Sequence, residues 1–385
     1  MINFPLSKKL KTLSLFSGAG GLDLGFHSAG FDIKYCIEID KRFCETLNIN
    51  KKYFKNSIII NSDIAKVNTK EIKSEIDFII GGPPCQSFSA SGFRKGLNDN
   101  RGNLFLEFIR LLKHFKPKGF LFENVRGLTH SNGGRAIKKI KEEFEKCGYV
   151  LNVKLLNAAD YGVPQLRERV FLLGSKDKKL FFPFPTHGPD SKNNKRYVSV
   201  FDAIKDVYNP KEKTKPFGGV YGHLLPLVPE GDNYHYFTSD MGYPKPIFKW
   251  RTKFSNFLYK VSRNEPCRTI QAQPGKYSGP FHWKNRKMNV EELKRLMTFP
   301  KNFIFNSGNS VSHHQLGNAV PPLLSYKIAL GIRSQILNDI PKQNLLEDNF
   351  ILSFDDAKKI KRRKTMYQTR KNRNLDQLDL FQDVI

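Results

Sequence analysis

Short apolar runs alternate with amphipathic stretches along the first half of the chain, and this alternation predicts its architecture. The apolar runs have the length of buried strands, and the stretches between them repeat large apolar residues at helical spacing. The pattern predicts strands at residues 10–16, 32–39, 57–60, 76–80, 119–122, 149–156 and 169–173. It predicts helices that open at Leu22 and that cover residues 103–115, 134–147, 290–297 and 315–337. Strands that alternate with helices in this way indicate an α/β fold with a doubly wound, mostly parallel sheet.

The periodicity breaks near Lys176. The stretch that follows is rich in Pro, Gly, Tyr, Phe, Lys and His and has no helical period. We therefore expect a separate, smaller, irregular, β-containing domain here. Its aromatic residues, interleaved with Lys and Arg, suit a nucleic-acid face and suit the core of a small domain equally well.

Basic residues are in large excess. The chain has 64 Lys and Arg residues against 36 Asp and Glu residues, which gives a net charge of +28. The excess is spread along the chain and favours a polyanionic partner, of which nucleic acid is the first candidate. A basic solvated surface without such a partner is the alternative. The basic tail at 346–385 is interpreted either as an arm that contacts phosphates or as a solvated segment.

The five cysteines are far apart and form no Cys-x-x-Cys pair. This spacing argues against a disulfide framework and against a zinc site, so we expect no bound metal and a reducing compartment. No apolar run approaches the roughly 20 residues of a membrane span, and the first residues do not resemble a signal peptide. We therefore expect a cytoplasmic protein without a membrane partner.

A glycine turn follows the first predicted strand. Residues 17–21 read Ser-Gly-Ala-Gly-Gly and lead into a helix, which is how nucleotide-like cofactors are seated. Asp23 takes the place of the third glycine of a dinucleotide fingerprint, which argues against NAD and favours S-adenosylmethionine or another single-nucleoside cofactor. Glu38 ends the second strand about 20 residues later, where an acid can bind ribose hydroxyls. Asp63 follows the third strand, where it can accept a hydrogen bond from an adenine amino group or cap a helix.

The turn after the fourth strand carries the candidate nucleophile. Two glycines and two prolines stop that strand and put Cys85 on a rigid turn at the carboxyl edge of the sheet. Ligands and chemistry gather at this edge in open α/β sheets, so we interpret Cys85 as a nucleophile. The alternative is a small buried apolar residue, which is a common fate of a free cysteine. Glu123 ends the next strand and is predicted at the same edge.

Five motifs occur together in one order along the chain. They are Phe16-Ser17-Gly18-Ala19-Gly20-Gly21, Gly82-Pro83-Pro84-Cys85-Gln86, Glu123-Asn124-Val125, Gln165-Leu166-Arg167-Glu168-Arg169 and Gln315-Leu316-Gly317-Asn318-Ala319-Val320. In these motifs the chain resembles the cytosine-C5 DNA methyltransferases, and bacterial modification enzymes in particular. The resemblance implies a Rossmann-like domain that binds S-adenosyl-L-methionine and releases S-adenosyl-L-homocysteine. It also implies a catalytic domain at residues 1–178, completed by 305–345, and a basic tail at 346–385. The domain inserted between the two parts, at 179–304 with its hinge, is implied to recognise a site in double-stranded DNA.

The resemblance assigns roles to residues of this chain. The thiolate of Cys85 is expected to add to carbon 6 of cytosine, which activates carbon 5 for methylation. Glu123 is expected to bond or protonate ring nitrogen 3, while Asn124 holds the turn. Arg167 and Arg169, interpreted as alternating on one strand, are expected to share a face, one on the 2-oxo group and one orienting Glu123 or the Cys85 loop. The cofactor contacts implied are Phe16, Gly18, Gly20, Glu38, Asp63, Ile64, Pro83, Leu104 and Asn318.

The target carbon lies inside the base stack, so the base has to be flipped out of the duplex. The loop at residues 89–101 is expected to close over it, with Gly92 and Gly96 as hinges. A cognate restriction endonuclease is expected on a separate chain, and a nucleoid-associated monomer is the simplest state. The alternatives are an RNA cytosine-C5 methyltransferase, a non-catalytic relative that binds DNA or S-adenosylmethionine, and an NAD-dependent oxidoreductase.

Overall fold

The computed structural model describes residues 9–84, 104–192, 194–339 and 345. Cys85, the predicted loop with Gly92 and Gly96, and the basic tail at 346–385 lie outside the described residues.

A seven-stranded sheet organises the described part of the chain. The described strands are β1 (Leu10–Leu15), β2 (Phe31–Glu38), β3 (Ile58–Asn61), β4 (Phe78–Gly81), β5 (Gly119–Val125), β6 (Val150–Asn157), β7 (Gln165–Leu166), β8 (Glu168–Ser175) and β9 (Cys267–Arg268). The order in the seven-stranded sheet is β3-β2-β1-β4-β5-β8-β6, and β7 pairs separately with β9. The pairs from β3 across to β5 are parallel, and β8 runs antiparallel to both of its neighbours. Each predicted strand is found, with its boundaries shifted by a few residues.

Helices cover both faces of this sheet. The helices are α1 (Gly21–Ser28), α2 (Lys41–Ile49), α3 (Leu104–Phe115), α4 (Arg135–Lys146), α5 (Val200–Ile204), α6 (Val290–Leu296), α7 (Gly308–Asn318) and α8 (Pro322–Ile336). One apolar core joins α1 and α8 to one face, and a second joins α3 and α4 to the other. The predicted doubly wound, mostly parallel α/β sheet is therefore confirmed.

The chain returns to its first helix near the end of the described part. Ser325 Oγ on α8 donates to Leu22 O on α1 at 2.5 Å, and Arg333 Nη1 donates to Gly30 O at 2.8 Å. Because α8 is held against α1 in this way, the preceding segment with Asn318 reaches the carboxyl edge of β1.

The expectation of one helix over residues 315–337 is wrong. The structure has two helices there, because α7 ends at Asn318 and α8 begins at Pro322. Proline lacks the N–H that a helix interior needs and drives the residue before it into an extended conformation, so the pair Pro321-Pro322 separates the helices. The first part of α7 lacks apolar residues at helical spacing, which is why its pattern did not predict a helix.

The stretch that joins β8 to α6 is irregular. Its described residues hold the short strand β9, which pairs with β7, together with isolated bridges and single helical turns. Many of its aromatic residues pack on each other around buried Tyr234, Phe237 and Phe281. For these residues the structure supports the second interpretation, that they form the core of a small domain. Contacts join the described residues into one compact unit, and the division into three domains stays a prediction. No helix in the described part is long and apolar enough to cross a bilayer.

Candidate active site

A cavity of about 570 Å³ opens at the carboxyl ends of β1, β2, β4 and β5. The strand order changes direction between β1 and β4, and ligands of open α/β sheets bind at such a point. The volume is in the range of small-molecule sites, roughly 300–1,000 Å³. Of the predicted site residues, the cavity wall contains Phe16, Gly18, Glu38, Asp63, Ile64, Pro83, Leu104, Glu123, Asn124, Arg169 and Asn318.

The glycine turn forms one side of the cavity. Phe16 has φ of 56°, an uncommon backbone conformation for a residue with a bulky side chain. Such strain persists where the surrounding structure enforces it, often at a functional site. Gly20 has φ of 78°, and a Cβ added there would lie 2.6 Å from the Phe54 ring. Gly20, a predicted cofactor contact, is not among the residues that line the cavity. Its lack of a side chain permits the close packing of the turn against Phe54.

Glu38 fixes the glycine turn to the end of β2. Its Oε2 accepts from Gly18 N at 2.8 Å and its Oε1 accepts from Asp40 N at 2.9 Å. Burial raises the pKa of the Glu38 carboxyl. Each carboxylate oxygen has a second lone pair, so the group can still accept hydrogen bonds from a ligand.

Asp63 caps a helical turn and also lines the cavity, so a contact of its side chain with an adenine amino group stays a prediction. Its Oδ1 accepts from Ala65 N at 3.0 Å, which caps the helical turn at Ile64–Lys66, while the residue also lines the cavity.

Glu123 ends β5 on the far side of the cavity, beside the turn that follows β4. A Cβ added to Gly82 would lie 2.5 Å from Glu123 Oε2, so a larger residue there would force the carboxylate to shift. Glu123 Oε1 lies 3.0 Å from Arg169 Nε. Burial raises the pKa of the Glu123 carboxyl, and the charges of Arg169 and Arg167 oppose that rise. The site therefore holds a carboxyl group that keeps its proton more readily than an exposed glutamate does.

Asn124 links the same two strand ends. Its Nδ2 donates to Pro83 O at 3.0 Å, and its Oδ1 accepts from Val125 N at 2.9 Å. Pro84, which directly precedes Cys85 in the sequence, also lines the cavity.

Arg167 does not line the cavity. Its side chain is fully buried, and its guanidinium donates to Ile270 O at 3.2 Å, Gly317 O at 2.7 Å and Ala319 O at 2.9 Å. The premise that Arg167 and Arg169 alternate on one strand is wrong, because β7 ends at Leu166 and β8 begins at Glu168. The residues before Arg167 pair with β9, and the residues after it pair with strands of the main sheet. The alternation of side chains along a single strand therefore does not continue from Arg167 to Arg169.

Several wall residues were not predicted. Ile39 and Phe43 follow Glu38 and stand over the same edge, and Gln273 and His314 come from the second half of the chain. The position of Ile39 at a strand end is a signal that the sequence offered. Among the described residues no group of three or more His, Cys, Asp or Glu side chains could hold a metal ion.

Comparison with known proteins agrees with this architecture. The chain is 35% identical over 367 residues to the Type II methyltransferase M.NgoFVII of Neisseria gonorrhoeae, covering 92% of this chain and 96% of the relative. It is 32% identical over 372 residues to M.SacI of Streptomyces achromogenes, covering 86% and 94%. A crystal structure of a putative DNA modification methyltransferase encoded within an E. coli prophage matches with a TM-score of 0.59 and 26% identity, covering 86% of this chain and 100% of that one.

The family comparison covers most of the chain. Residues 10–334 match the model described as C-5 cytosine-specific DNA methylase, which confirms the resemblance drawn from the five motifs. The chain belongs to the C-5 cytosine-specific DNA methylase family.

Proposed function

We propose that this protein transfers a methyl group from S-adenosyl-L-methionine to carbon 5 of a cytosine within a specific site of duplex DNA. We further propose that it is a monomeric modification enzyme of a bacterial restriction–modification system, with the endonuclease on a separate chain. The observation that carries the proposal is the cavity in which the glycine turn and Glu38 stand opposite Glu123 and Arg169.

The cavity residues fit S-adenosyl-L-methionine. Glu38 has both oxygens oriented by backbone N–H groups and suits ribose hydroxyls, and Asp63 suits an adenine amino group. Phe16 presents an aromatic ring from a position with a strained backbone, and Asn318 adds a side-chain amide from the returning end of the chain. When bound, S-adenosyl-L-methionine supplies an electrophilic methyl group. The carboxylates of the wall favour such a cationic ligand over a phosphate.

The opposite side of the cavity suits a cytosine ring. In the proposed reaction the thiolate of Cys85 bonds to carbon 6, and the electron pair of the 5,6 double bond becomes available at carbon 5. Glu123 gives its proton to ring nitrogen 3 and so takes up the charge that the attack places on the ring. After carbon 5 is methylated, its proton leaves to a water-borne base. Elimination of the Cys85 thiolate, with return of the proton from ring nitrogen 3 to Glu123, then restores the aromatic ring.

The two arginines are proposed to act differently. Arg169 holds Glu123 and stands in the wall, where its guanidinium can reach the 2-oxo group. Arg167 is a positioning residue, because its bonds to Gly317 O and Ala319 O enclose Asn318 in the sequence.

The cavity lies at the edge of a sheet and is closed below by the protein core. A cytosine in a duplex can enter it only after leaving the base stack, at a cost of a few kcal/mol. The net charge of +28 supports binding of the strand that has to be distorted.

Bisulfite sequencing of host DNA after expression tests the proposal and reveals the recognised site. We expect methylation at one short sequence in cells that express the wild-type chain and none with Cys85→Ser. A duplex that carries 5-fluorocytosine at the target should remain covalently bound to the wild type, because the proton at carbon 5 is replaced and elimination is blocked. Methyl transfer to transfer RNA in preference to duplex DNA would contradict the proposal.

A further inference from the structure

A second cavity, of about 580 Å³, lies beside the first. The two cavities have in common the wall residues Ala272, Gln273 and His314. Among the described residues that line the second cavity there is no Asp or Glu, whereas Arg42, Lys276 and Lys287 do line it. A cavity whose wall carries charge of one sign concentrates ligands of the opposite sign.

Lys287 puts an ammonium group in this wall with no carboxylate partner in the described part of the chain. Its Nζ donates to Gly275 O at 3.2 Å and to Ser278 O, and it lies 4.5 Å from the centre of the Phe281 ring. Burial lowers the pKa of the Lys287 ammonium to about 8. The charge is poorly solvated at this position, so an anion in the cavity would stabilise it.

The other donors of the wall differ in how far their charge is already balanced. Lys276 is exposed, and its Nζ lies 5.6 Å from the centre of the Tyr277 ring. Arg42 donates through Nε to Asp40 Oδ1 at 3.0 Å, so much of its charge is offset. The first turn of α7 also lines the cavity, and Ser307 gives that turn no capping hydrogen bond, which leaves its backbone N–H groups as further donors.

We propose that the second cavity holds a backbone phosphate of the DNA strand that carries the target cytosine. The inference rests on the proposed function, since it takes that cytosine to enter the first cavity. A flipped nucleotide remains joined to its strand, so the adjoining phosphates have to pass along a surface that borders the first cavity. The second cavity borders the first in this way, because both are lined by Gln273 and His314. The positive charges in the wall of the second cavity complement the negative charge of a phosphodiester.

The salt dependence of DNA binding by the full chain tests the proposal. The probe is a duplex that contains the site found by bisulfite sequencing, and affinity is measured by fluorescence anisotropy over a salt series. Loss of one phosphate contact should reduce the slope of log affinity against log salt by about 0.9. We expect this reduction for Lys276→Ala and for Lys287→Ala, and a wild-type slope for Lys287→Arg. Lys141→Ala on α4, on the opposite face of the sheet, is the matched control and should leave the slope unchanged.

A methylphosphonate scan identifies the phosphate. Neutralising one phosphate next to the target cytosine should weaken wild-type binding as much as Lys276→Ala does, and the two changes together should cost no more than either alone. Additive losses, or losses only on the complementary strand, would overturn the proposal. Binding of inorganic phosphate to the wild type but not to Lys276→Ala, without any displacement of the duplex at constant ionic strength, would assign the cavity to free phosphate and overturn it too.

The proposed function and the phosphate site are contradicted by different results. A wild-type chain that neither binds nor methylates the duplex contradicts the proposed function. If the wild-type chain binds and methylates the duplex, but the Lys276 and Lys287 variants have the same salt slope as the wild type, only the phosphate site is contradicted.

Discussion

The Nε atom of Arg169 lies 3.0 Å from Oε1 of Glu123, and each side chain retains only 12% of its exposure. The pair joins β8 to the end of β5 inside the cavity wall. Burial raises the pKa of the Glu123 carboxyl, and the charges of Arg169 and Arg167 lower it. The contact with Arg169 therefore reduces the readiness of Glu123 to hold a proton.

The first prediction concerns the pH dependence that this pair produces. The pKa of Glu123 is raised by burial, and as a proton donor the residue works in its protonated form, so kcat should fall as pH rises through that pKa. Arg169→Gln removes a charge that lowers the pKa, so it should move this fall to higher pH. Glu123→Gln should remove the fall and reduce kcat by roughly 10²–10⁴-fold. Labelled methyl transfer to the duplex across pH gives these profiles.

An unchanged pH profile in Glu123→Gln would show that another group carries the proton. Binding of S-adenosyl-L-methionine, measured by calorimetry, is the control, because neither variant touches Glu38 or the glycine turn.

The second prediction concerns the space between the two strand ends. A methyl group on Gly82 would lie 2.5 Å from Glu123 Oε2 and would force the carboxylate to move. Displacement of a reacting group by about 1 Å can reduce the rate by about 10²-fold, and we expect a loss of this size in kcat for Gly82→Ala. Gly127→Ala is the matched control, because its added Cβ meets nothing closer than Val125 Cγ2 at 3.8 Å. Equal kcat in the two variants would contradict the prediction.

The sequence predicted the parts of the site that depend on strand ends. Glu38, Asp63 and Glu123 each follow an apolar run, and carboxyl ends of parallel strands meet at one edge, so their convergence could be inferred. Arg167 could not be placed in this way, since the exchange of strand partners around it depends on the distant strand β9. The start of α7 was missed because residues 308–312, Gly-Asn-Ser-Val-Ser, carry no apolar stripe at helical spacing.

The third prediction concerns the donor side of the cavity. In Glu38→Gln one carboxylate oxygen becomes an NH₂ group, which cannot accept from Gly18 N or Asp40 N. Hydrogen bonds to a charged group contribute about 1.5–3 kcal/mol, so we expect the Kd for S-adenosyl-L-methionine to rise by roughly 10- to 100-fold. Calorimetric titration measures it. Glu45→Gln, an exposed carboxyl on α2, should bind like the wild type.

The fourth prediction separates positioning from stability at Arg167. Lysine cannot reproduce the planar fork that bonds Gly317 O and Ala319 O, so Arg167→Lys should displace Asn318 between them. We expect the Kd for S-adenosyl-L-methionine to rise about tenfold and unfolding free energy to fall by about 1–3 kcal/mol, with kcat at saturation affected less.

Arg333→Lys is the control for that variant. Arg333 is also fully buried and donates to Gly30 O, but it lies in α8 away from the cavity wall. Arg333→Lys should lower the melting temperature of the protein and leave the Kd for S-adenosyl-L-methionine unchanged. A rise in Kd of the same size in both variants would reduce the role of Arg167 to general stability.

The fifth prediction concerns Asp23, which stands where a dinucleotide fingerprint has its third glycine. The side chain is fully buried, Oδ1 lies 3.5 Å from Cys36 Sγ, and Oδ2 has no hydrogen-bond partner in the described part of the chain. Burial raises the pKa of Asp23 from 3.8 to about 6. A raised pKa in the folded state means that the contribution of this group to stability is full below pH 3.8 and is lost as pH rises to about 6.

Asp23→Asn should therefore change the pH dependence of stability in one direction. Above pH 6 the native wild-type chain has to bury an ionised carboxylate, at a cost of about 3 kcal/mol if the whole shift is expressed, and the amide avoids it. Relative to the wild type, the variant should gain stability between pH 4 and pH 7, as measured by denaturant unfolding across this range. Using the pH-dependent part of the difference removes any constant effect of the amide on packing. A difference that stays constant with pH would mean that Asp23 does not titrate in this window.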